Sequence, residues 1–191
     1  MSRLVFVQMS GAPGAGKTTV ADAIAKEIGA VIIDHDITKS ALLEADIPAT
    51  DAGRASYMVL HALARHLLQQ EQSVIFDSPC FYEDLLKRGQ QLAEEFGARY
   101  CYVECRLDDL QELDRRLQSR VRKPSQLAGV FAQPTVGSGK EKTGEAYFRH
   151  AIENMKRPAS DYLVVDTSQP LEFYLEQILD YVKGTRPGSI S

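Results

Sequence analysis

The stretch Gly11-Ala12-Pro13-Gly14-Ala15-Gly16-Lys17-Thr18 satisfies the phosphate-binding pattern G-x-x-x-x-G-K-[ST] at every specified position. Its surroundings fit as well. The apolar run from Leu4 to Met9 reads as a short buried strand, and Thr19 to Ile28 reads as a helix. Strand, glycine loop and helix form the setting in which this pattern holds phosphate. Gly11, Gly14 and Gly16 permit a tight turn that presents backbone N–H groups, and the helix adds free N-terminal amides and a positive dipole end. Lys17 is placed to reach the β- and γ-phosphates, and Thr18 to offer a hydroxyl to Mg²⁺. The candidate nucleotide contacts are therefore Gly11, Ala12, Pro13, Gly14, Ala15, Gly16, Lys17, Thr18 and the adjacent Thr19.

The rest of the chain repeats the alternation that such a loop requires. Strands are predicted at Ala30–Ile33, Ser73–Asp77, Tyr100–Glu104 and Tyr162–Val165. Helices are predicted at 38–45, from Asp51 as cap to about Gln70, and at 83–96, 108–120, 145–155 and 171–182. Apolar strands alternating with helices argue for an α/β fold with a parallel sheet between helical layers and right-handed crossovers. The 191 residues suit one domain over 1–184, with a frayed tail at 185–191. The stretch from Lys123 to Gly144 is rich in Pro, Gly, Ser and Gln and lacks periodicity. Within it, Gly137-Ser138-Gly139-Lys140 echoes a phosphate loop without its spacing or its strand, and reads as plain loop.

No apolar run approaches a membrane span, and the chain enters its first strand almost at once, so a cytoplasmic location is expected. The net charge of −4 does not advertise nucleic-acid binding, although a local basic groove is compatible with it. Cys101 and Cys105 share one face of a strand and read as buried thiols. Cys80 lies near the expected site but has no base beside it in the sequence, so it too reads as structural. His35, His61, His66 and His150 lack metal-ligand spacing.

Ligands of parallel sheets sit at the carboxyl ends of the strands. Asp34 with Asp36, Asp77 and Asp166 fall there. Asp77 ends an apolar strand and is the candidate metal acid beside Thr18. Asp36, ahead of Asp34, is the candidate base for an acceptor hydroxyl; the competing role for Asp36 is to cap the next helix. The two carboxylates share a face if the segment stays extended and diverge if a helix starts there. Arg115, Arg116, Arg120, Arg122 and Lys123 cluster at a helix end. Arg120 and Arg122, joined by Arg116 one turn earlier, are candidates to close over a transferring phosphoryl group; the competing reading is a solvated face. Phe81 and Tyr82 are candidates for an acceptor pocket, and Arg54 and Arg157 are further basic candidates.

Taken together, the chain resembles the small P-loop kinases of the nucleoside-monophosphate-kinase-like group. The similarity is to the branch with the zeta toxins, chloramphenicol phosphotransferase, the kinase part of phage polynucleotide kinase and AAA-domain kinases. It spans Leu4 to about Val182. Asp34-His35-Asp36 with Lys39 resembles the branch's D-x-D and basic residue, Arg116, Arg120 and Arg122 its lid arginines, and Asp166-Thr167-Ser168 the segment beside the adenine. The resemblance implies a three-layer P-loop NTPase fold, with a five-stranded parallel sheet in the order 2-3-1-4-5 and a mobile lid over about 115–144. It implies ATP in preference to GTP, Mg²⁺, and transfer of the γ-phosphate to a hydroxyl of a small-molecule acceptor such as a nucleoside, sugar or antibiotic. The alternatives are an ATPase or switch acting on a partner protein, and a polynucleotide 5′-hydroxyl kinase. The acceptor and the oligomeric state are left open.

Overall fold

The computed structural model describes residues 4–132 and 144–185. Its strands are β1 (Val5–Ser10), β2 (Val31–Asp34), β3 (Val74–Asp77), β4 (Arg99–Arg106) and β5 (Tyr162–Asp166). Its helices are α1 (Lys17–Ile28), α2 (His35–Glu44), α3 (Ala49–Gln69), α4 (Glu83–Glu95), α5 (Leu110–Ser119), α6 (Gly144–Glu153) and α7 (Leu175–Lys183), with one 3₁₀ turn at Leu171–Phe173.

All five strands pair in parallel in the order β2-β3-β1-β4-β5, as the P-loop resemblance implies. The central strand β1 is buried along its whole length, which is why it reads as a continuous apolar run. On one side, Val5, Val7 and Met9 pack with Val20, Ala21 and Ile24 of α1 and with Ile178 and Val182 of α7. On the other, Phe6 and Phe76 pack with Leu60, Ala64 and Leu68 of α3 and with Leu92 of α4. Phe6 is fully buried, and removing a side chain of that size from water contributes about 1.5–3 kcal/mol. These two layers fix the sheet, and with it the line of strand ends that carries the site.

Three local expectations change. The helix expected from Thr38 begins at His35, directly from β2, and its cap is Asp34 rather than Asp36. Asp51 does not cap α3; Pro48 holds the cap position and Asp51 lies in the first turn. The last helical stretch is divided, with Tyr174 between the 3₁₀ turn and α7. Cys80, Cys101 and Cys105 are free, buried thiols, and burial followed by the Glu104 charge pushes the Cys80 thiol up to about 12. The Gly137–Lys140 echo and residues 186–191 of the tail lie outside the described residues.

Candidate active site

The glycine loop is shaped by close approaches. A Cβ on Gly11 (φ +131°) would sit 2.2 Å from the backbone oxygen of Cys105. One on Gly14 (φ +86°) would sit 3.1 Å from Leu117 Cγ of α5. Gly16 turns left-handed (φ 90°, ψ 13°) into α1, and the space beside its Cα opens toward Arg116. Because α1 starts at Lys17, its first-turn amides have no helical carbonyl to bond and are available to an anion. The first helical bond is from Val20 N–H to the Gly16 carbonyl. Lys17 Nζ donates to the carbonyl oxygens of Gly11 and Ala12, both at 3.0 Å, which holds the ammonium across the loop. Thr167 Oγ1, just past β5, donates to Ala15 O at 2.8 Å and braces the loop from the far side.

Thr18 and Asp77 meet beside the loop. Thr18 Oγ1 donates to Asp77 Oδ2 at 2.7 Å, placing a hydroxyl and a carboxylate oxygen side by side at the end of β3. Two such hard oxygens are the donor set a magnesium ion takes from protein, with phosphate and water completing its shell. The residues present therefore fit the ion. Asp77 is buried, and burial pushes its carboxyl up to about 6. Lys17 and the Thr18 hydroxyl pull against that rise, while the charges of Asp34 and Asp36 add to it.

Asp34 and Asp36 take different places because α2 begins between them. Asp34 stands opposite Asp77 in the β2–β3 register. Its Oδ1 accepts the N–H groups of Asp36 at 2.6 Å and Ile37 at 3.2 Å, and its Oδ2 is 3.6 Å from Lys123 Nζ. Asp36 Oδ2 accepts from Gln126 Nε2 at 2.9 Å, and its Oδ1 lies 3.7 Å from His35 Nδ1. The Asp36 side chain keeps 38% of its surface exposed against 11% for Asp34. Burial opposes its ionisation, yet the His35 ring, the Gln126 amide and the Lys17 ammonium outweigh that and hold the carboxyl well below the usual range. Asp36 thus lines the cavity as a carboxylate with one oxygen tied to Gln126 and the other near the His35 ring.

The described part of the segment after α5 packs against α2. Ser125 is buried; its hydroxyl donates to the Asp36 carbonyl at 3.1 Å, and the Ser40 hydroxyl donates to it at 2.9 Å. Asp114 Oδ1 accepts the N–H groups of Val130 and Phe131, tying the segment back to α5.

Of the arginines, Arg116 and Arg120 line the cavity and Arg122 does not. Arg116 is aimed by two partners, Glu112 Oε1 at 2.7 Å and the Thr167 carbonyl at 2.8 Å. Arg120 donates to the Leu127 carbonyl at 3.2 Å, and partial burial pulls its pKa down while the Asp36 charge pulls it up. Arg122 is exposed. Arg115 is exposed and paired with Glu112, and Arg157 is held by the buried Glu104, away from the cavity. Asp166 accepts the Ser168 N–H at 2.9 Å and does not line the cavity.

These parts surround a cavity of about 670 Å³ that runs from Gly14–Thr19 past Asp36 to Gln169–Tyr174. Sequence reasoning did not single out Ser125, Gln126, Glu112 or Ser40. Only Glu112 carried a readable signal, its i,i+4 spacing to Arg116.

Residues 6–130 match the AAA domain family AAA_33, about two thirds of the chain. The chain belongs to the AAA_33 family. The match runs from the first strand through the glycine loop and Asp77 to Val130, so it takes in the described parts of the site except Tyr147 of α6 and the stretch after β5. A search of curated proteins finds no match. Among solved structures, a candidate kinase from Chloroflexus aurantiacus J-10-fl is similar at 21% identity, over 95% of this chain and 98% of that one, with a TM-score of 0.71. APS kinase CysC of Mycobacterium tuberculosis, in complex with AMPPNP and APS, is similar at 18% identity over 96% and 99%, TM-score 0.66. A gluconokinase from Sinorhizobium meliloti 1021 is similar at 18% identity over 97% and 95%, TM-score 0.61. At these identities the likeness is one of fold: the AAA_33 chain has the architecture of small P-loop kinases.

Proposed function

We propose that the protein is an ATP-dependent phosphotransferase that moves the γ-phosphate of ATP to a hydroxyl of a small-molecule acceptor. The observation that carries this reading is the position of Asp36. An ionised, half-exposed carboxylate stands across one cavity from Lys17 and the glycine loop, next to the Thr18–Asp77 pair. The named kinases of the same fold support it.

The loop amides and Lys17 would hold the phosphates, and Thr18 with Asp77 would hold Mg²⁺, which when bound neutralises charge on the phosphate oxygens. Asp36 orients the acceptor hydroxyl and takes its proton. A strongly acidic carboxylate is a weak base, but proton removal late in a loose transition state asks little of it. Gln126 fixes one Asp36 oxygen, leaving the other for the acceptor. Asp34, with its oxygens committed to backbone amides and near Lys123, shapes the start of α2. Arg116 and Arg120 place positive charge along the cavity wall, where it stabilises charge on the transferring group. The wall from Gln169 to Tyr174 would receive the base of the nucleotide.

The test separates binding from transfer. Asp36→Asn is expected to bind ATP normally while losing transfer by about 10²–10⁴-fold, the usual worth of a positioned acid or base. Lys17→Ala is expected to weaken both. Transfer by Asp36→Asn at the wild-type rate would remove Asp36 from the chemistry.

A further inference from the structure

A second cavity, of about 780 Å³, lies between α2, α3 and the stretch from Pro79 to Leu85. It meets the phosphate-side cavity at His35, Lys39, Pro79 and Phe81, which line both. Its size suits a drug-sized ligand. The apolar part of its wall is built from Tyr57, Met58, Phe81, Tyr82 and Leu85, three of them aromatic. Such faces favour a ring, since aromatic contacts add about 0.5–1.5 kcal/mol beyond area burial. A polyol would instead set hydroxyls against these aromatic faces, which cannot bond them.

Histidine, lysine, arginine, threonine and aspartate side chains share the wall with these rings. His35 is buried at the inner mouth, its ring stacked on Tyr57 with centroids 4.2 Å apart; its Nδ1 lies 3.7 Å from Asp36 Oδ1, and its Nε2 has no hydrogen-bond partner. His61, packed on Phe76, has two ring nitrogens without partners. Burial, and then the Arg88 charge, pushes His61 down to about 4, so at neutral pH it offers one donor and one acceptor. A buried polar atom left unbonded costs about 1–3 kcal/mol, so a ligand that completes these nitrogens binds with that advantage. Of the cations, Lys39 is buried and already engaged, and Arg88 is engaged by Asp84 at 2.6 Å. Arg54 lines the same wall, exposed, with no hydrogen-bond or ion-pair partner among the described residues.

We infer that this cavity takes a ring-bearing alcohol with an acidic substituent, its ring between Tyr57, Phe81 and Tyr82 and its acid toward Arg54. Resting on the kinase reading, that ligand is the phosphate acceptor, its hydroxyl at the His35 mouth next to Asp36.

A matched panel tests the inference on the intact protein. Para-hydroxymethylbenzoate and uridine monophosphate carry ring, hydroxyl and acid. Benzyl alcohol and uridine lack the acid, and gluconate and glycerol phosphate lack the ring. Binding is read by saturation-transfer NMR with Mg²⁺ and a non-hydrolysable ATP analogue, and transfer is read separately with ATP. The ring acids are expected to bind about tenfold more tightly than either other pair, the worth of one charge-assisted contact. Arg54→Gln should bring them down to the ring alcohols, and Tyr82→Ala, at an exposed position, should weaken every ring compound. Binding of gluconate or glycerol phosphate as tight as that of the ring acids overturns the inference, as does failure of both ring acids to bind. Selective binding of ring acids without transfer to them, alongside ATP hydrolysis indifferent to any acceptor, supports the cavity chemistry while defeating the kinase reading. Transfer to gluconate alone does the reverse.

Discussion

Gln126 Nε2 donates to Asp36 Oδ2 at 2.9 Å, joining the segment after α5 to the carboxylate at the head of α2. The bond does two things at once. It orients Asp36, and it ties the position of the segment carrying Arg120 to the state of the acceptor side. A hydrogen bond to a charged group contributes about 1.5–3 kcal/mol. Gln126→Ala is therefore expected to lower transfer by about 10–100-fold and to lower Tm by no more than several degrees, since Gln126 is only half-buried. Steady-state kinetics beside a thermal melt checks this. A large fall in Tm with unchanged turnover would make Gln126 a packing residue.

Asp77 places a pH-dependent strain in the metal-free protein. Its carboxyl titrates near 6 in the fold against about 3.9 unfolded. Between those values the folded chain binds more protons than the unfolded one, so stability falls as pH rises through about 4 to 6. Above that window the charged form costs on the order of 1–3 kcal/mol. With EDTA present, Asp77→Asn is expected to be more stable than wild type at neutral pH, with the difference shrinking toward about pH 4. The same substitution should depress Mg²⁺-dependent transfer. Urea melts at several pH values read the first effect, and an Asn variant less stable at neutral pH would contradict it.

Arg157 and Glu104 form a two-pronged pair, 2.7 Å at each contact, with Glu104 almost wholly buried and also accepting from the Tyr102 hydroxyl at 3.2 Å. Arg157→Ala leaves that carboxylate without its cation, a loss worth about 3 kcal/mol or more. Because Arg157 does not line the phosphate cavity, ATP affinity of the folded variant should hold. Denaturant unfolding and nucleotide titration separate the two; an unchanged unfolding free energy would contradict a stabilising role for the pair.

Gly11 meets the Cys105 carbonyl too closely for any side chain. Gly11→Ala has to displace either the loop or β4. It is expected to cost several kcal/mol, at the upper end for single substitutions, and to lower nucleotide affinity. A variant with wild-type Tm and affinity would place the loop differently from the structure described.

What the sequence made legible follows from how local each feature is. The glycine loop, Lys17, Thr18 and Asp77 were readable because a contiguous motif and one apolar strand define them. Strand and helix order was readable from periodicity, whereas sheet order came through the resemblance. The division of labour between Asp34 and Asp36 was not readable, since a four-residue strand runs straight into α2 with no loop to mark the cap. Gln126 and Ser125 were hidden for a different reason. Each lies about ninety positions from its partner near the head of α2, in a stretch without periodicity, so only the tertiary fold brings them together. Arg120 and Arg122 looked equivalent in sequence, but the chain leaves α5 at Arg120, which turns in while Arg122 turns out.

The most direct test of the account is ATP consumption with Mg²⁺ by the wild-type protein and by Asp36→Asn, each with and without a pooled set of hydroxylated acceptors, with mass spectrometry of the products. The account expects consumption that rises with an acceptor, a phosphorylated acceptor in the wild-type reaction, and neither in the Asp36→Asn reaction. Steady hydrolysis indifferent to every acceptor, and unaltered in Asp36→Asn, would contradict it.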